Sequence, residues 1–345
     1  MSKKKEKKPA VRSAEDSVSC DVGKPVKKTT IGGQALIEGV MMVGPSRTCM
    51  AVRKGDGTIH VEEVKQSEKV SHFENVPFVR GCIRFYKMLV TGTGALMRSA
   101  DISEEGKPAE EGEEDKQPSR LENFLNRNRN AVVTFSAILG ILLSVGLFIL
   151  LPRLIVDLVS KFIPENIVHL KWMELVLNLG EGILRLLIFL IYLINASRLK
   201  DIKRVWQYHG AEHKTIACYE AGEDLTAVNV LKYPRFHPRC GTAFMFIVLA
   251  ISIVIYTVIG VFIGSPAMWV NLVIRLVCIP FICAISYEIL RFVGRHDKNG
   301  FCRLLCKPGL WLQKFTTDEP DAAIVEVAIA SLQAVIPENK EDDVW

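Results

Sequence analysis

Apolar residues are concentrated in four runs, and each run is long enough to cross a lipid bilayer as a helix. About 20 consecutive apolar residues span the hydrocarbon core. Two runs, 131–151 and 241–264, carry no charged residue, whereas 175–194 and 268–290 each contain one acidic and one basic residue. The pattern predicts an α-helical membrane protein with about four transmembrane helices and a small cytoplasmic α/β portion.

Lysine and arginine are unevenly distributed around these runs. They cluster before the first run, between the second and third, and after the fourth, whereas the segment 160–173 has only two and the turn at Gly264 has none. Loops rich in lysine and arginine stay on the cytoplasmic side of a membrane. We therefore predict a multi-pass protein with both termini in the cytoplasm.

Composition divides the chain into five predicted segments. They are a disordered basic tail at 1–30, a cytoplasmic β-hairpin unit with an amphipathic interfacial helix at 31–100, an acidic linker at 101–120, a four-span membrane domain at 121–300 with a cytoplasmic loop at 195–239, and a C-terminal cytoplasmic helical segment at 301–345. The basic tail is expected to lie over anionic lipid of the bilayer. In the last segment, a capped helix is expected to begin near Thr317 or Asp318 and to dock on the β unit or on membrane-proximal helices.

Residues 31–66 place apolar and β-branched side chains around glycine-rich turns. The turn at 55–57, Gly-Asp-Gly, separates two such stretches and predicts a hairpin. Gln34 and Glu38 interrupt an apolar stretch, and their spacing predicts that both side chains share one side. A solvated edge of the β unit would account for them without any function.

Residues 76–100 combine basic and apolar side chains at helical spacing. Arg80, Arg84 and Lys87 fall on one face of the predicted helix, and apolar residues cover the remainder. This composition is typical of a helix lying in the membrane interface. The alternative is a core helix packed on the β unit.

The most specific chemical signal is "YHGAEHKTIACYE" at 208–220. A helix predicted from Ser197 to Ala221, and ended by Gly222, would hold His209, Glu212 and His213 within one arc of ~100°. Two histidines four residues apart are a common helical way to bind a divalent metal such as zinc, and an adjacent glutamate can act as a general base. The order His-x-x-Glu-His also marks inverted zinc peptidases. The alternative is a solvated helix face.

Candidates for a further metal ligand come from the predicted topology. His237 and Cys240 lie where the third run begins, and Glu288 lies in the last turn of the fourth run at the same membrane boundary. Each residue also has a simpler interpretation. His237 could be an ordinary loop histidine, Cys240 a small packing residue, and Glu288 the ion-pair partner of Arg291.

Charged residues inside the runs need partners in hydrocarbon. Glu181 and Arg275 fall at similar predicted depths and could pair between helices, or Glu181 could pair with Arg185 on its own helix. A transport path along this layer would require polar residues from all four runs. We do not expect the first and third runs to supply them.

Overall composition narrows the function classes. The nine cysteines are an odd number scattered along predicted cytoplasmic or intramembrane segments, which does not indicate a disulfide framework. The net charge of +5 follows from the basic loops, and no pattern of basic and aromatic residues indicates nucleic-acid binding.

Six blocks of sequence, in this order, carry a resemblance to a known family. They are "GGQALIEGVMM", "PFVRG", "YHGAEHKTIACYE", "HPRCGTAF", "YEILRF" and "PGLWLQKFTTDEPD". Together they resemble the YqhQ-like family of bacterial membrane proteins over residues 31–100 and 120–335. The resemblance implies a multispanning protein of the bacterial cytoplasmic (inner) membrane. The family's function is unknown, and it is usually labelled a predicted metal-dependent enzyme.

Two functional hypotheses follow. The first is a membrane-bound, metal-dependent hydrolase with a cytoplasm-facing site, Glu212 as general base and a protein or lipid-linked substrate. The second is a non-enzymatic membrane scaffold or assembly factor whose polar residues form a structural network or a structural metal site. A closed shell of four protein ligands would favour the scaffold, and an open position beside Glu212 would favour the enzyme.

Overall fold

The computed structural model describes residues 28–65, 76–106, 127–168, 170–264, 267–296 and 299–339, together with Asp343. Almost all of the predicted basic tail and most of the predicted acidic linker lie outside these residues.

The N-terminal β unit is a four-stranded antiparallel meander. Its strands are paired in chain order: β1 (Gly32–Leu36), β2 (Gly39–Val43), β3 (Thr48–Arg53) and β4 (Ile59–Glu63). The predicted hairpin at 55–57 joins β3 to β4, where the Lys54 N–H donates to the Thr58 carbonyl at 2.9 Å. Gly57 adopts a φ of 87° there, which a glycine reaches without strain.

Helix α1 (Val79–Glu104) has two differently packed halves. Its C-terminal half covers one face of the sheet, where Ala95 and Ile102 join a buried cluster with residues of β1, β2 and β3. Its N-terminal half packs on the fourth apolar helix, and there Gly81 lies against Ala284 and Tyr287. The helix continues to Glu104, past residue 100, because Ile102 is fully buried on the sheet.

Four helices among the described residues are long and apolar enough to cross a membrane, as the sequence predicts. They are Ala131–Ser160, Lys171–Ala196, Gly241–Ile263 and Trp269–Arg295. The first combines α2 (Arg129–Val145), a π-helical segment (Gly146–Leu150) and α3 (Leu151–Ser160), and the short helix α4 (Glu165–Val168) follows it. The others are α5 (Lys171–Ala196), α8 (Gly241–Ile263) and α9 (Met268–Arg295).

Small residues allow α5 and α8 to approach closely. A side chain on Gly182 would collide with Ile253, and one on Gly260 would collide with Asn178. Small residues at such contacts are common between membrane helices, where close backbone approach increases van der Waals packing. The two pairs also show that α5 and α8 are antiparallel.

The remaining helices form a layer at one end of the bundle. They are α6 (Lys200–Ala221), α7 (Ala227–Val230), α10 (Gly300–Thr316) and α11 (Ala322–Val335). As predicted, Gly222 ends α6 in the left-handed conformation, with φ 75°. Helix α11 packs on β2, β3 and α6, and Ile324, Val327 and Leu332 are fully buried there.

The predicted start of α11 near Thr317 or Asp318 is wrong. The Asp321 side chain caps the helix by accepting the Ile324 N–H at 2.8 Å, and Pro320 precedes the cap. Several residues suited to N-capping stand close together in this stretch. Thr317 is extended and the Asp318 N–H donates to the Trp206 carbonyl of α6 at 2.9 Å, so this segment crosses α6 before the helix begins.

The acidic residue of α5 satisfies both pairings that the sequence left open. Glu181 accepts from Arg185 on its own helix at 2.7 Å and from Arg275 of α9 at 2.7 Å. All three side chains are buried. An unpaired charge at this depth would be costly, so the shared carboxylate stabilises both guanidinium groups in the bundle.

A reporter that is active only outside the cytoplasm tests the orientation. The 26-residue α5 separates Asn166 from Gly222, so fusions after these two residues should lie on opposite sides of the membrane. We expect the fusion after Asn166 to be active and the fusion after Gly222 to be inactive, because the basic residues follow α5. Equal activity of the two fusions would rule out this topology.

Candidate metal centre

One face of α6 is buried against three other parts of the chain. His209, Glu212 and His213 lie on this face, and each is at most 9% exposed. Next to them, the backbone of α6 contacts the backbone of the segment that follows α10. The Asp318 N–H donates to the Trp206 carbonyl at 2.9 Å, and a side chain on Gly210 would collide with the Asp318 carbonyl. Glycine at 210 therefore permits the approach that buries the motif.

Backbone carbonyls fix the orientation of both histidine rings. His209 Nδ1 lies 2.7 Å from the Thr316 carbonyl oxygen, and His213 Nδ1 lies 2.6 Å from the Arg235 carbonyl oxygen. A carbonyl can only accept a hydrogen bond, so each Nδ1 carries the proton. Nε2 is then the ring nitrogen that can bind a metal. Metal-binding histidines are commonly oriented in this way, by a hydrogen bond at the other ring nitrogen.

Cys240 brings a third ligand atom to the two histidines. It is the N-cap of α8, and its Sγ lies 3.2 Å from His209 Nε2. One ligand atom from each of His209, His213 and Cys240 lies within 4.8 Å of the other two. Imidazole nitrogen and thiolate sulfur are the ligands that zinc prefers.

Two polar atoms in this cluster have no hydrogen-bond partner among the described residues. They are His213 Nε2 and Glu212 Oε2, and both atoms are buried. An unsatisfied buried polar atom costs about 1–3 kcal/mol, so native structures rarely keep such atoms without a ligand, ion or water. The pair therefore fits a bound cation and a water molecule beside Glu212.

Glu212 is held on its other side by the sheet. Gly33 of β1 packs against its carboxylate. A Cβ atom on Gly33 would lie 2.9 Å from the Glu212 carboxyl carbon. Gly32 and Gly33 are solvent-exposed, so a thin layer of backbone separates Glu212 from the surface.

The electrostatics of the cluster favour a thiolate. Burial alone would raise the pKa of the Cys240 thiol, but interaction with the neighbouring rings of His209 and His213 holds it well below its usual value. Burial likewise opposes the charged form of His209, yet Cys240 raises the pKa of this histidine to about 9. Thiolate is the form of cysteine that binds metals. Burial raises the pKa of Glu212 above its usual range.

His237 lies beside this cluster and is engaged elsewhere. Its ring centroid is 5.7 Å from that of His213, and its Nε2 faces Glu220 Oε2 at 3.8 Å. Gln313 holds its backbone with two hydrogen bonds of 2.8 Å. Burial lowers the pKa of His237, although Glu220 opposes the shift. His237 is not one of the three residues whose ligand atoms converge.

Glu288 is also kept away from the converging ligand atoms. Its carboxylate pairs with both arms of Arg80, at 2.7 and 2.5 Å, and accepts the Phe78 N–H at 3.3 Å. The sequence suggested Arg291 as its partner, but the packing of α1 on α9 brings Arg80 to it instead. Glu288 thus joins the N-terminal half of α1 to the fourth apolar helix.

Gln34 and Glu38 contact different elements, contrary to the prediction that they share one side. A Cβ on Gly92 of α1 would collide with the Gln34 side chain. Glu38 occupies the turn after β1 with φ 50°, and its carboxylate accepts from Arg204 and Tyr208 of α6 at 2.7 and 3.0 Å. The turn reverses the direction of the chain between the two residues, which separates their side chains.

Several groups that build the site could not be recognised from the sequence. Two of them, the carbonyls of Thr316 and Arg235, are backbone atoms that any residue could supply. Gly33 could have been found from the glycine pair that precedes Gln34, since adjacent glycines indicate close approach of another group. Gln313 resembles an ordinary surface glutamine in sequence, although it is fully buried.

Comparison with known proteins identifies the family. The model of DUF1385, described as a protein of unknown function, matches residues 76–338. The chain is 32% identical over 311 residues to a Bacillus subtilis (strain 168) protein described as uncharacterized protein YqhQ, and the alignment covers 88% of this chain and 92% of that one. No solved structure matches. The chain therefore belongs to the DUF1385 family of proteins of unknown function.

Proposed function

We propose that the chain is a membrane-bound, metal-dependent hydrolase in which His209, His213 and Cys240 bind a divalent cation of the zinc type. The supporting observation is the convergence of three buried ligand atoms within 4.8 Å, beside a glutamate oxygen that has no partner among the described residues. Catalytic zinc sites commonly have three protein ligands and one open position, whereas structural sites have four. Two histidines and one cysteine fit the catalytic pattern.

Glu212 has the properties of a general base. Burial raises its pKa, which moves it toward the range where a carboxylate accepts a proton efficiently at neutral pH. Gly33 packs against the carboxylate and limits its movement, so the free Oε2 keeps one position next to the ligand atoms. When bound, a divalent cation supplies Lewis acidity to the water that Glu212 deprotonates.

We assign the site to the cytoplasmic face of a bacterial cytoplasmic membrane, with both termini on that side. The basic residues that follow α5 and α9 support this orientation. Cys240 begins α8, so the site lies where that helix leaves the bundle. A peptide or a lipid-linked molecule that lies along the bilayer would reach the site past the exposed glycines of β1.

A scaffold with a structural metal site is the second candidate. The observation that favours it is the depth of burial, since His213 is 1% exposed and Glu212 5%. His237 stands close enough to serve as a fourth ligand if its ring turned away from Glu220. The number of protein ligands and the effect of changing Glu212 separate the two candidates.

Replacing a ligand should remove the metal. We expect wild-type protein purified without chelators to carry about one zinc-type ion per chain, and His209→Ala, His213→Ala or Cys240→Ser to retain a small fraction of it. Elemental analysis of the purified protein measures this. His60→Ala, at a partly exposed histidine of β4, is the control and should keep the ion. Absence of a stoichiometric transition metal from the wild type would refute the proposal.

Replacing the general base Glu212 should leave the metal bound and greatly slow the proposed hydrolysis. Glu212→Gln keeps the shape of the side chain but cannot take up a proton, so the reaction rate should fall by ~10² to 10⁴. The readout is complementation of a strain that lacks the endogenous protein, with metal content measured in parallel. Full complementation by metal-loaded Glu212→Gln would favour the scaffold.

Two neighbouring glycines test the positioning of Glu212 without changing a polar group. Gly33→Ala places a methyl group 2.9 Å from the Glu212 carboxyl carbon and 2.8 Å from the Met41 carbonyl oxygen of β2, and a displacement of Glu212 by about 1 Å can lower a rate by ~10². A side chain on Gly32 meets no atom within 4 Å, so Gly32→Ala should behave as wild type. Both proteins should bind metal normally. Equal complementation by the two variants would contradict the assigned role of Gly33.

A further inference from the structure

Helix α1 carries an exposed apolar stripe opposite the face that packs on the rest of the chain. Its buried residues fall within one arc of ~100° and are Gly81, Gly92, Ala95, Ser99, Ile102 and Ser103. On the other side of the helix, Val79, Tyr86, Val90 and Met97 lie within ~40° of one another, and each is at least 40% exposed. A helix of a globular protein usually buries its apolar side, so this stripe indicates a further partner.

The N-terminal half of α1 lies against the membrane-spanning part of the bundle. Cys82 Sγ donates to the Pro280 carbonyl of α9 at 3.1 Å. The ring centroid of Phe85 lies 5.6 Å from that of Phe244 in α8. Both contacts involve helices that are long and apolar enough to cross a membrane, and Pro280 lies ~12 Å further along α9 than Glu288. The exposed side of α1 therefore begins at a level where lipid surrounds the bundle.

Arginine side chains gather beside the same half of α1. Arg80 and Arg84 extend from α1 itself. Arg291 and Arg295 lie on the face of α9 that packs on α1, because both fall within ~20° of Ala284, which contacts α1 at Gly81. Arg291 is close enough to Arg80, Arg84 and Arg295 for their charges to interact. Four guanidinium groups thus share the junction of α1 and α9.

Three of these four groups have no carboxylate partner within the described part of the chain. Arg80 pairs with Glu288, whereas Arg84 donates from Nη1 to a neutral tyrosine hydroxyl at 2.6 Å. Arg291 and Arg295 make no hydrogen bond or ion pair with described residues. Arg84 and Arg295 are exposed, and Arg291 is partly exposed. Like charges this close repel each other, and an anion bound among them removes the repulsion.

We propose that α1 lies in the headgroup region of the leaflet on the side of the metal centre, and that Arg84, Arg291 and Arg295 bind the phosphate of an anionic phospholipid. The apolar stripe then contacts the acyl chains. Amphipathic helices bind membranes through both contributions, apolar burial and attraction to anionic lipid. The planar fork of a guanidinium matches the oxygens of a phosphate. The proposal rests neither on the metal centre nor on hydrolase activity.

This position of α1 brings the β unit to the membrane surface. The face of α1 opposite the stripe packs on the sheet, where Ala95 and Ile102 belong to a buried cluster. Strand β1 of the same sheet packs against Glu212 through Gly33. Both sequence-based interpretations of α1 then hold, since one face of the helix contacts the β unit and the opposite face contacts lipid.

Tryptophan quenching in vesicles tests the position of the stripe. The full-length chain is reconstituted in phosphatidylcholine and phosphatidylglycerol with brominated acyl chains, and the emission of the wild type is subtracted. Val90→Trp should lose most of its added emission, because bromine quenches an indole that contacts the chains. Val228→Trp is the control, at a residue that is 71% exposed on α7, and it should keep its emission. α7 packs on α6 and α11.

Two outcomes of the quenching experiment would overturn the proposal. One is equal quenching of the two variants, which would mean that the stripe is no nearer to lipid than α7 is. The other is unquenched Val90→Trp in a chain that is dimeric in the same vesicles, which would assign the stripe to contact with a second copy.

Lipid titration of the purified full-length chain in an uncharged detergent tests the arginine cluster. Short-chain phosphatidylglycerol should bind more tightly than phosphatidylcholine with the same chains. Arg84→Gln and Arg291→Gln should each weaken phosphatidylglycerol binding by about tenfold, because each removes charge-assisted hydrogen bonds, and should leave phosphatidylcholine binding unchanged. Arg98→Gln removes an exposed arginine of α1 that pairs with Glu62 on the sheet, and it should bind both lipids as the wild type does.

The thermal unfolding midpoint without lipid shows whether the arginine variants fold. It should match that of the wild type, since neither Arg84 nor Arg291 has an ion pair among the described residues. Equal affinity of the wild type for the two lipids would overturn the assignment of the arginine cluster. Unchanged phosphatidylglycerol binding in both Arg84→Gln and Arg291→Gln would overturn it as well.

Discussion

The polar groups on the buried face of α6 must find hydrogen-bond partners, and this requirement organises the end of the molecule that holds the candidate metal centre. The carbonyls of Arg235 and Thr316 receive the Nδ1 protons of the two histidines, so the loop before α8 and the end of α10 are joined to one helix. Glu212 packs against Gly33 of β1. Hydrogen bonds of this kind are directional, so they fix the distances between segments that apolar packing alone would leave adjustable.

The same requirement explains why only some features of the site could be predicted from the sequence. The spacing of His209, Glu212 and His213 is a local property, because the pitch of a helix sets it. Cys240 could be proposed because the end of an apolar run locates it at the membrane boundary. Glu288 was a candidate ligand for the same reason, since it lies at the same membrane boundary. Its partner depends on the position of α1, and nothing in the local sequence shows where α1 will pack.

The elements of the fold likewise divide into those that neighbouring residues determine and those that depend on distant contacts. The four apolar helices and the hairpin at 55–57 were predictable, since hydrocarbon length and turn chemistry depend on neighbouring residues only. The start of α11 was not, because Thr317, Asp318 and Asp321 are all capable of capping a helix, and the contact of Asp318 with α6, which is distant in sequence, decides among them. Likewise, the alternatives for α1 could not be resolved in advance, since its two halves contact different surfaces.

Helix α8 connects the two polar regions of the molecule. Its N-cap residue Cys240 lies at the metal centre, and Tyr256, four turns further along, contacts both arginines of the bundle. The ion pairs of Glu181 hold α5 and α9 together, and α8 packs against both of these helices. The position of Cys240 therefore depends on the packing of the bundle, even though the thiol itself lies outside it.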